Sequence, residues 1–331
     1  MEVNKGEKLM IYVFYESRKC WADRNQNLKN NDDLSRFLED DQSIEKIIKF
    51  LSKEDFNVVC VEINTENIQK YIYEAKQNKN CIIWNLTDGM DYYKGSNLPA
   101  LANLYDIPYV GSNSYVQMLA QNKQHMKTIV KSLGIQVANG INVTPGSYPT
   151  KKLDFQPPYF IKPTCFDNSI GDNVAYPVCT SLDEAEKTVK QLFENNYSDV
   201  MIEEYLSGNE YSVTLINIGK WVADCVKIEY PGCSYWSSIS KDNRQYEITE
   251  APSDIEDDLV RKSVLLATSL HINDYFRVDY RCNASNEPKF LEINTNPFLM
   301  CLAYKQLASK YFSSIDDMLS KMIYQSFRRQ Q

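Results

Sequence analysis

Short apolar runs alternate with segments of helical periodicity over the first hundred or so residues. Strand-like runs lie at 9–15, 57–63 and 81–86, and helical patterns at 43–54 and 66–77 separate them. Strands that alternate with helices are typical of a parallel sheet with helices on both faces. The pattern therefore predicts a doubly wound α/β domain at the N-terminus.

The middle of the chain has a different pattern. A helical stretch at 114–133 ends at Gly134, which is a common helix stop, and a proline-containing linker follows. Strands and one helix then come in mixed order, with strands predicted at 159–162, 200–205, 211–218 and 220–230 and the helix at 181–195. This order predicts an α+β arrangement.

The last third combines a helix at 254–270 with two strand-like segments at 276–282 and 289–295. We therefore expect three parts: an N-terminal α/β domain at 1–115, a central lobe at 116–205 and a C-terminal lobe at 206–331. Ligand sites favour clefts between domains, so a nucleotide would bind between the last two lobes.

Composition narrows the classes of function. The 331-residue chain has a net charge of −8, which opposes binding to a nucleic-acid backbone. It has no uncharged apolar run of about 18 residues, so we expect neither a signal peptide nor a membrane span. The nine cysteines form no C-x-x-C pair, which favours reduced thiols in the cytoplasm. With two histidines in the chain, we expect any metal to be held by oxygen ligands.

Acidic and amide side chains recur on the last two strand-like segments. Arg277 and Asp279 are two residues apart, as are Glu292 and Asn294, so each pair shares one face of its strand. If the strands pair antiparallel, the two carboxylates and the amide converge, and oxygen ligands of this kind select Mg²⁺ or Mn²⁺. The alternative is a pair of amphipathic strands with solvated outer faces.

A nucleotide, if bound, requires a site other than the common glycine-rich loops. The chain contains neither G-x-x-x-x-G-K-[ST] nor G-x-G-x-x-G. The candidate phosphate ligands are Lys123, at the start of NKQHMKTIVKSLG, and Lys162, at the end of YFIK.

Four segments occur in a characteristic order: PYFIKPTCFDNSIG, MIEEYLSGNEYSV, YFRVDY and FLEINTNP. As an ordered set they resemble the ATP-grasp superfamily and, within it, the D-alanine–D-alanine ligase-like branch, over roughly residues 80–325. The resemblance implies an ATP-grasp fold in which two α+β lobes clasp the nucleotide. It also implies an ATP-dependent ligase that joins a small-molecule carboxylate to an amine through an acyl-phosphate, releasing ADP and phosphate.

The resemblance assigns the nucleotide contacts residue by residue. Lys123 and Lys162 contact the phosphates, and the turn containing Asn168 and Ser169 closes over them. The end of the predicted strand at 200–205 and the residues after it would bind the adenine and the ribose. The resemblance places Glu203 on the adenine amino group, the backbone of Glu204, Tyr205 and Leu206 on the adenine edge, and Glu210 on the ribose hydroxyls. Lys241 and Tyr235 fall near a third phosphate-contacting lysine and an aromatic that covers adenine, and a surface lysine is the alternative for Lys241.

The metal and catalytic roles also follow from the resemblance. Glu292 would bridge two Mg²⁺ ions, for which Mn²⁺ is an alternative, and Asp279 and Asn294 would complete their coordination. Arg277 would stabilise the acyl-phosphate and the tetrahedral state, with Lys241 and Ser169 as further catalytic residues.

The substrate-facing positions depart from the family. Phe14-Tyr15-Glu16-Ser17-Arg18 stands in place of a glycine-rich turn, although Glu16 could still pair with a substrate amino group. Asp88-Gly89 stands where the family has His-Gly, and Phe298 replaces a glycine. Asp167 and Asn168 stand where glycine and serine are usual, so Asp167 is expected to face a cationic substrate group.

We therefore expect a ligase of the same reaction type with different substrates, such as amino acids or molecules that contain them. The alternatives are a D-alanine–D-alanine ligase of cell-wall synthesis, a nucleotide-binding protein without catalysis, and an ATP-grasp kinase. Similar ligases dimerise through the N-terminal domain, so a homodimer is a further expectation.

Overall fold

The computed structural model describes residues 8–15, 38–54, 56–63, 67–87, 94–147, 153–165, 178–195, 197–230 and 246–331. Three sheets and their helices account for most of this part of the chain. Every cysteine within it is a free thiol. Within the same ranges, no helix combines the length and the apolarity that crossing a membrane requires.

The N-terminal sheet is parallel, as its sequence pattern predicts. Its strand order is β2-β1-β3-β4, with β1 at Leu9–Tyr15, β2 at Phe56–Glu62, β3 at Cys81–Asn85 and β4 at Tyr109–Val110. Helices α1, α2 and α3 span Leu38–Lys53, Ile68–Gln77 and Asn97–Leu104. Along β1, Ile11 and Val13 enter one apolar core while Tyr12 and Phe14 enter another. Both faces of the sheet are therefore covered.

The helical stretch predicted at 114–133 is two helices. Helix α4 spans Ser114–Gln121 and α5 spans Lys123–Ser132. Asn122 separates them in an extended conformation, and its side chain accepts a hydrogen bond from the His125 backbone N–H at 2.9 Å. Asn is a favoured N-cap residue, so the second helix begins at Lys123.

The central sheet has four strands in the order β5-β8-β6-β7. Strand β5 spans Gly140–Val143, β6 Tyr159–Pro163, β7 Val178–Cys179 and β8 Val200–Glu204. Helix α6, at Leu182–Glu194, packs on this sheet. Ser181 caps α6 by accepting from the Glu184 backbone N–H, and one face of the helix packs on the sheet.

The C-terminal sheet has five strands in the order β11-β10-β9-β12-β13, with antiparallel pairing throughout. Strands β9 to β13 span Glu210–Asn217, Trp221–Glu229, Glu247–Glu250, Tyr275–Cys282 and Pro288–Asn294. Helices α7, α8 and α9 span Ser253–Leu270, Leu302–Tyr311 and Ile315–Arg329.

Two cores contain residues from more than one of the three parts that the sequence predicts. Val116, Met126 and Val130, from the two helices after the N-terminal domain, belong to the core of the C-terminal sheet rather than to that of the central sheet. Met318 and Ile323 of α9 likewise belong to the core beneath the N-terminal sheet. Helix α9 therefore packs against the N-terminal sheet. Helix α5 lies against the C-terminal sheet, with Lys123 near Glu292 and Lys127 in contact with Glu203.

Candidate active site

Three neighbouring strands of the C-terminal sheet carry the polar side chains of the site. Strands β12 and β13 are antiparallel, with Arg277 opposite Asn294 and Asp279 opposite Glu292. This register confirms the pairing on which the predicted convergence of these four side chains depends. On the other side of β12, Ser212 of β9 lies opposite Asp279.

A β-bulge adjusts which side chains of β13 enter the core. Asp279 pairs with Glu292 but Tyr280 pairs with Phe290, so Leu291 is an extra residue on that strand. Phe290 and Ile293 are three positions apart, yet both are buried in the same core. The bulge therefore allows Glu292 to face Asp279 while its apolar neighbours remain buried.

Arg277 and Asp279 form a fork-like ion pair on one face of β12. Arg277 Nη2 lies 2.9 Å from Asp279 Oδ2, and Arg277 Nε lies 3.0 Å from Asp279 Oδ1. Ser212 Oγ donates to the same Oδ1 at 2.7 Å. Burial disfavours the charged guanidinium, but the Asp279 carboxylate outweighs it and raises the pKa of Arg277. Arg277 is therefore a permanent cation beside this carboxylate.

Glu292 projects from the next strand toward helix α5. Its Oε2 atom lies 3.9 Å from Lys123 Nζ, and its side chain is a third exposed. Asp279, Glu292 and Asn294 supply carboxylate and amide oxygens, a donor set that fits Mg²⁺ or Mn²⁺. Within the described ranges no cluster of three or more His, Cys, Asp or Glu side chains is placed to hold a metal.

The break between helices α4 and α5 at Asn122 sets the position of Lys123. The Lys123 backbone N–H donates to the Thr164 carbonyl at 3.1 Å, which ties the first residue of α5 to the end of β6. Lys162, on β6, and Lys123 are both buried. Lys123 lies beside Glu292 and Lys162 pairs with Glu203, and the role of both lysines as phosphate ligands stays a prediction.

Glu203 is enclosed by cations. It is 2% exposed, and its two carboxylate oxygens pair with Lys127 on one side and Lys162 on the other. Burial alone would raise the pKa of Glu203, but the two lysines lower it to about 2. Burial lowers the pKa of Lys127 to about 8, with Glu203 opposing the shift. Glu203 is therefore an anion, and an ionised carboxylate is a stronger hydrogen-bond acceptor than a neutral one.

Contacts with neighbouring segments hold the residues after Glu203. The Glu204 side chain pairs with Lys289 and accepts from Asn139 Nδ2 at 2.8 Å. The backbone N–H groups of Glu204 and Tyr205 donate to the carbonyls of Asn139, at 2.8 Å, and Pro158, at 2.9 Å. The predicted backbone contacts with adenine stay a prediction. The Tyr205 ring stacks on Phe160 with ring centroids 6.3 Å apart, and Leu206 is buried.

Glu210 lies at the start of β9 beside a cavity of about 500 Å³. It accepts from Tyr230 Oη at 2.7 Å and pairs with Arg281 Nη1 at 3.2 Å. Burial raises the pKa of Glu210 to about 7, although Arg281 and Tyr230 act in the opposite direction. The Arg281 guanidinium also lies 5.6 Å from the centre of the Tyr205 ring.

The turn after Asn294 faces the N-terminal domain. Asn296 accepts from Tyr275 Oη at 2.7 Å and donates to the Thr87 carbonyl at 3.5 Å. Phe298 is half-buried, packs against the core beneath the N-terminal sheet, and has Lys46 Nζ 5.8 Å from its ring centre. A large side chain therefore occupies the position where the sequence departs from the family.

Several predicted site residues lie outside the described ranges. They are Glu16, Asp167, Asn168, Ser169, Tyr235 and Lys241, together with the Asp88-Gly89 turn. Their predicted roles stay predictions.

The sequence reasoning missed Lys127, Ser212, Tyr230 and Arg281. For Lys127 a signal was present, because it follows Lys123 by four positions and shares its helix face. Ser212 and Arg281 each lie two residues from a predicted site residue on a strand, and so share its face. Their partners, however, are about 70 residues away along the chain: Asp279 for Ser212 at a separation of 67, and Glu210 for Arg281 at a separation of 71.

Comparison with protein families gives a match over residues 129–324 to the model described as D-ala D-ala ligase C-terminus. Among curated proteins, an uncharacterized protein of Sinorhizobium fredii, y4sG, is 26% identical over 66% of this chain and 66% of its own length. A D-alanine–D-alanine ligase of Flavobacterium psychrophilum is 28% identical over 61% of this chain and 62% of its own length. The chain therefore spans less than two thirds of these two relatives.

Two solved structures share the fold over nearly the whole chain. The D-alanine–D-alanine ligase from Bacillus anthracis complexed with ATP superimposes with a TM-score of 0.72 at 19% identity, covering 97% of this chain and 98% of that one. The VanG D-Ala:D-Ser ligase from Enterococcus faecalis gives a TM-score of 0.72 at 17% identity, covering 97% and 100%. The three sheets and their helices thus form an ATP-grasp fold.

Proposed function

Because the chain belongs to the D-alanine–D-alanine ligase family of ATP-grasp proteins, we propose that it is an ATP-dependent carboxylate–amine ligase. The observation that carries the proposal is the juxtaposition of Arg277 and Asp279 with Glu292 and Asn294 on paired strands. Lys123 faces this group from helix α5, 3.9 Å from Glu292. Carboxylates, an amide and fixed cations at the cleft are the groups that phosphoryl transfer requires.

The proposed reaction has two steps. A carboxylate oxygen of the first substrate attacks the γ-phosphorus of ATP, the bond to the β,γ-bridging oxygen breaks, and ADP leaves. A neutral amine then attacks the carbonyl carbon of the acyl-phosphate, the bond from that carbon to the phosphate oxygen breaks, and the amine nitrogen releases a proton. The products are an amide, ADP and phosphate.

The side chains of the cleft divide these tasks between them. Asp279, Glu292 and Asn294 would hold Mg²⁺, which neutralises charge on the phosphates when bound. Lys123 and Lys162 would bind phosphate oxygens. Burial keeps both ammonium groups away from bulk water, which strengthens their attraction to phosphate oxygens.

Arg277 would stabilise negative charge at the reacting centre. The Asp279 carboxylate holds its Nε and Nη2 atoms, so the orientation of the guanidinium plane is set before any substrate binds. Asp279 is in turn oriented by Ser212. A guanidinium held in this way can donate to a developing oxyanion without first being reoriented.

We propose substrates that are amino acids, or small molecules that contain them, other than two D-alanines. The half-buried Phe298 supports this choice, because its ring occupies space where a glycine would let backbone approach a substrate. A pair of D-alanines is the second candidate, since curated relatives carry the name D-alanine–D-alanine ligase. We further propose that the protein works in the cytoplasm, which fits the free thiols of the described cysteines.

The test is a ligation screen with ATP, Mg²⁺ and pairs of amino acids, including D-alanine with itself. Phosphate release and mass spectrometry of the products report turnover. Hydroxylamine in the reaction traps an acyl-phosphate as a hydroxamate, whereas a kinase acting on a hydroxyl yields none. Tight ATP binding with no product across the screen would favour a nucleotide-binding protein without catalysis.

The matched variants are Glu292→Gln and Glu194→Gln. The first removes one charge from the proposed metal site, and we expect the rate of phosphate release to fall by about 100-fold or more. The second makes the same change at an exposed position on helix α6 and should leave the rate unchanged. Full turnover of Glu292→Gln would show that the metal assignment is wrong.

A further inference from the structure

We infer that Lys127 is a positioning residue that holds Glu203 as an oriented anion for the 6-amino group of adenine. Lys127 would thereby give the nucleotide site much of its preference for adenine. The inference rests on the proposed function, in which Glu203 binds the adenine amino group.

The geometry separates Lys127 from the other lysines of the cleft. Lys123 and Lys127 are one helical turn apart on α5, so they share a face. Lys123 reaches toward Glu292, at 3.9 Å, whereas Lys127 contacts Oε2 of Glu203. Both partners of the second contact are almost fully buried, with 4% of Lys127 and 2% of Glu203 exposed. This contact is thus removed from water.

Lys162 contacts the other carboxylate oxygen of Glu203, Oε1. The phosphates that Lys162 is proposed to bind would compete with Glu203 for its ammonium group. Once Lys162 turns to the phosphates, Lys127 is the cation that remains beside this buried carboxylate. A buried carboxylate that loses its counter-ions takes up a proton or reorients, and in either case it is a weaker acceptor.

The contact also leaves room for the base. An ionised carboxylate can accept about four hydrogen bonds, so Lys127 does not exhaust Glu203. Opposite Glu203 on the neighbouring strand stands Gly140, where an added Cβ would lie 3.1 Å from the Ile202 carbonyl. The same added atom would lie 3.3 Å from Glu203 Cβ, so a side chain at position 140 would press on Glu203.

The experiment compares ADP with the diphosphate of purine riboside, which lacks the 6-amino group. Both bind without turnover, so calorimetric dissociation constants in Mg²⁺ report binding alone. We expect the dissociation constant of wild type for ADP to be roughly tenfold or more below that for the purine diphosphate, because a charge-assisted hydrogen bond contributes affinity of this size. In Lys127→Met the dissociation constant for ADP should rise by a similar factor while that for the purine diphosphate changes little, so that the preference disappears.

Three further variants sharpen the result. Lys127→Arg keeps the charge and should keep most of the preference, and Lys131→Met, one turn along α5 at an exposed position, should behave as wild type. Lys127→Gln keeps a donor without the charge, and it replaces the methionine variant if that variant does not fold. In steady-state assays we expect the KM for ATP to rise in Lys127→Met with kcat nearly unchanged.

The possible outcomes separate the inference from the proposal beneath it. If wild type binds the two diphosphates equally, the assignment of Glu203 to the adenine amino group is wrong, and the inference about Lys127 is overturned with it. If wild type prefers ADP and the folded Lys127 variant without charge keeps the same preference, the role of Lys127 alone is overturned. Neither result depends on whether ligation is detected.

Discussion

Glu210 offers a direct measure of how burial and ion pairing compete in the cleft. It is 8% exposed and lies between Tyr230 and Arg281. Burial raises its pKa from 4.5 to about 7, so desolvation of the carboxylate outweighs the guanidinium. Glu210→Gln removes the titration and retains the shape and an acceptor oxygen. The pH dependence of the stability difference between wild type and this variant should therefore report Glu210.

The sign of the effect follows from proton binding. Between about pH 4.5 and 7, the unfolded chain has an ionised Glu210 whereas the folded chain retains the proton. The contribution of Glu210 to stability is therefore fully present below pH 4.5 and is lost as the pH rises to about 7. At 1.36 kcal/mol per pH unit, raising the pKa of Glu210 from 4.5 to about 7 corresponds to about 3 kcal/mol.

The assay is urea unfolding of both proteins between pH 4.5 and 8, followed by tryptophan fluorescence. We expect the stability of wild type relative to Glu210→Gln to fall by about 3 kcal/mol across this range and then to level off. The control Glu194→Gln, at an exposed position, should differ from wild type by less than about 0.5 kcal/mol. A difference that is flat between pH 4.5 and 8 would show that pairing with Arg281 outweighs burial.

Two further variants test contacts around the same sheet. Ser212→Ala removes the hydrogen bond of 2.7 Å to Asp279. We expect the Mg²⁺ concentration for half-maximal ADP formation to rise by about tenfold, because Asp279 loses the group that orients it. An unchanged Mg²⁺ concentration would contradict the role of Asp279 as a ligand. Lys310→Met leaves the fully buried Asp224 without the ammonium group 2.6 Å from its Oδ1, and thermal or urea unfolding should show a loss of about 3 kcal/mol. Adding Asp224→Asn to Lys310→Met should recover part of that loss. If the double variant lost as much stability as the two single variants added together, a pairing effect would be contradicted.

The N-terminal sheet illustrates what an apolar pattern predicts well. Strand β1 is apolar at successive positions because both of its faces are buried, and its predicted range, 9–15, is the observed one. The sequence pattern was less informative at Asn122, which lies within a continuous helical periodicity. There the helix breaks because the asparagine side chain caps the next helix, a local competition that periodicity does not register.

The register of β13 also depended on tertiary packing. Strict alternation along KFLEIN would place Phe290 on the same face as Glu292 and Asn294. The bulge at Leu291 resolves this conflict, because it lets Phe290 join Ile293 in the core. The gain from burying a large aromatic ring drives this choice, and the ring's surroundings exist only in the folded protein.

The sequence by itself determined the class of fold, the order of the chemical motifs and the oxygen-donor character of the proposed metal site. These properties follow from residue type and local spacing. The tertiary structure alone decided which ionisable side chains meet: Lys127 with Glu203 across 76 positions, and Arg281 with Glu210 across 71. The physical reason is that burial makes a lone charge costly, so each cleft carboxylate takes a cation that the fold brings near it, however distant in sequence.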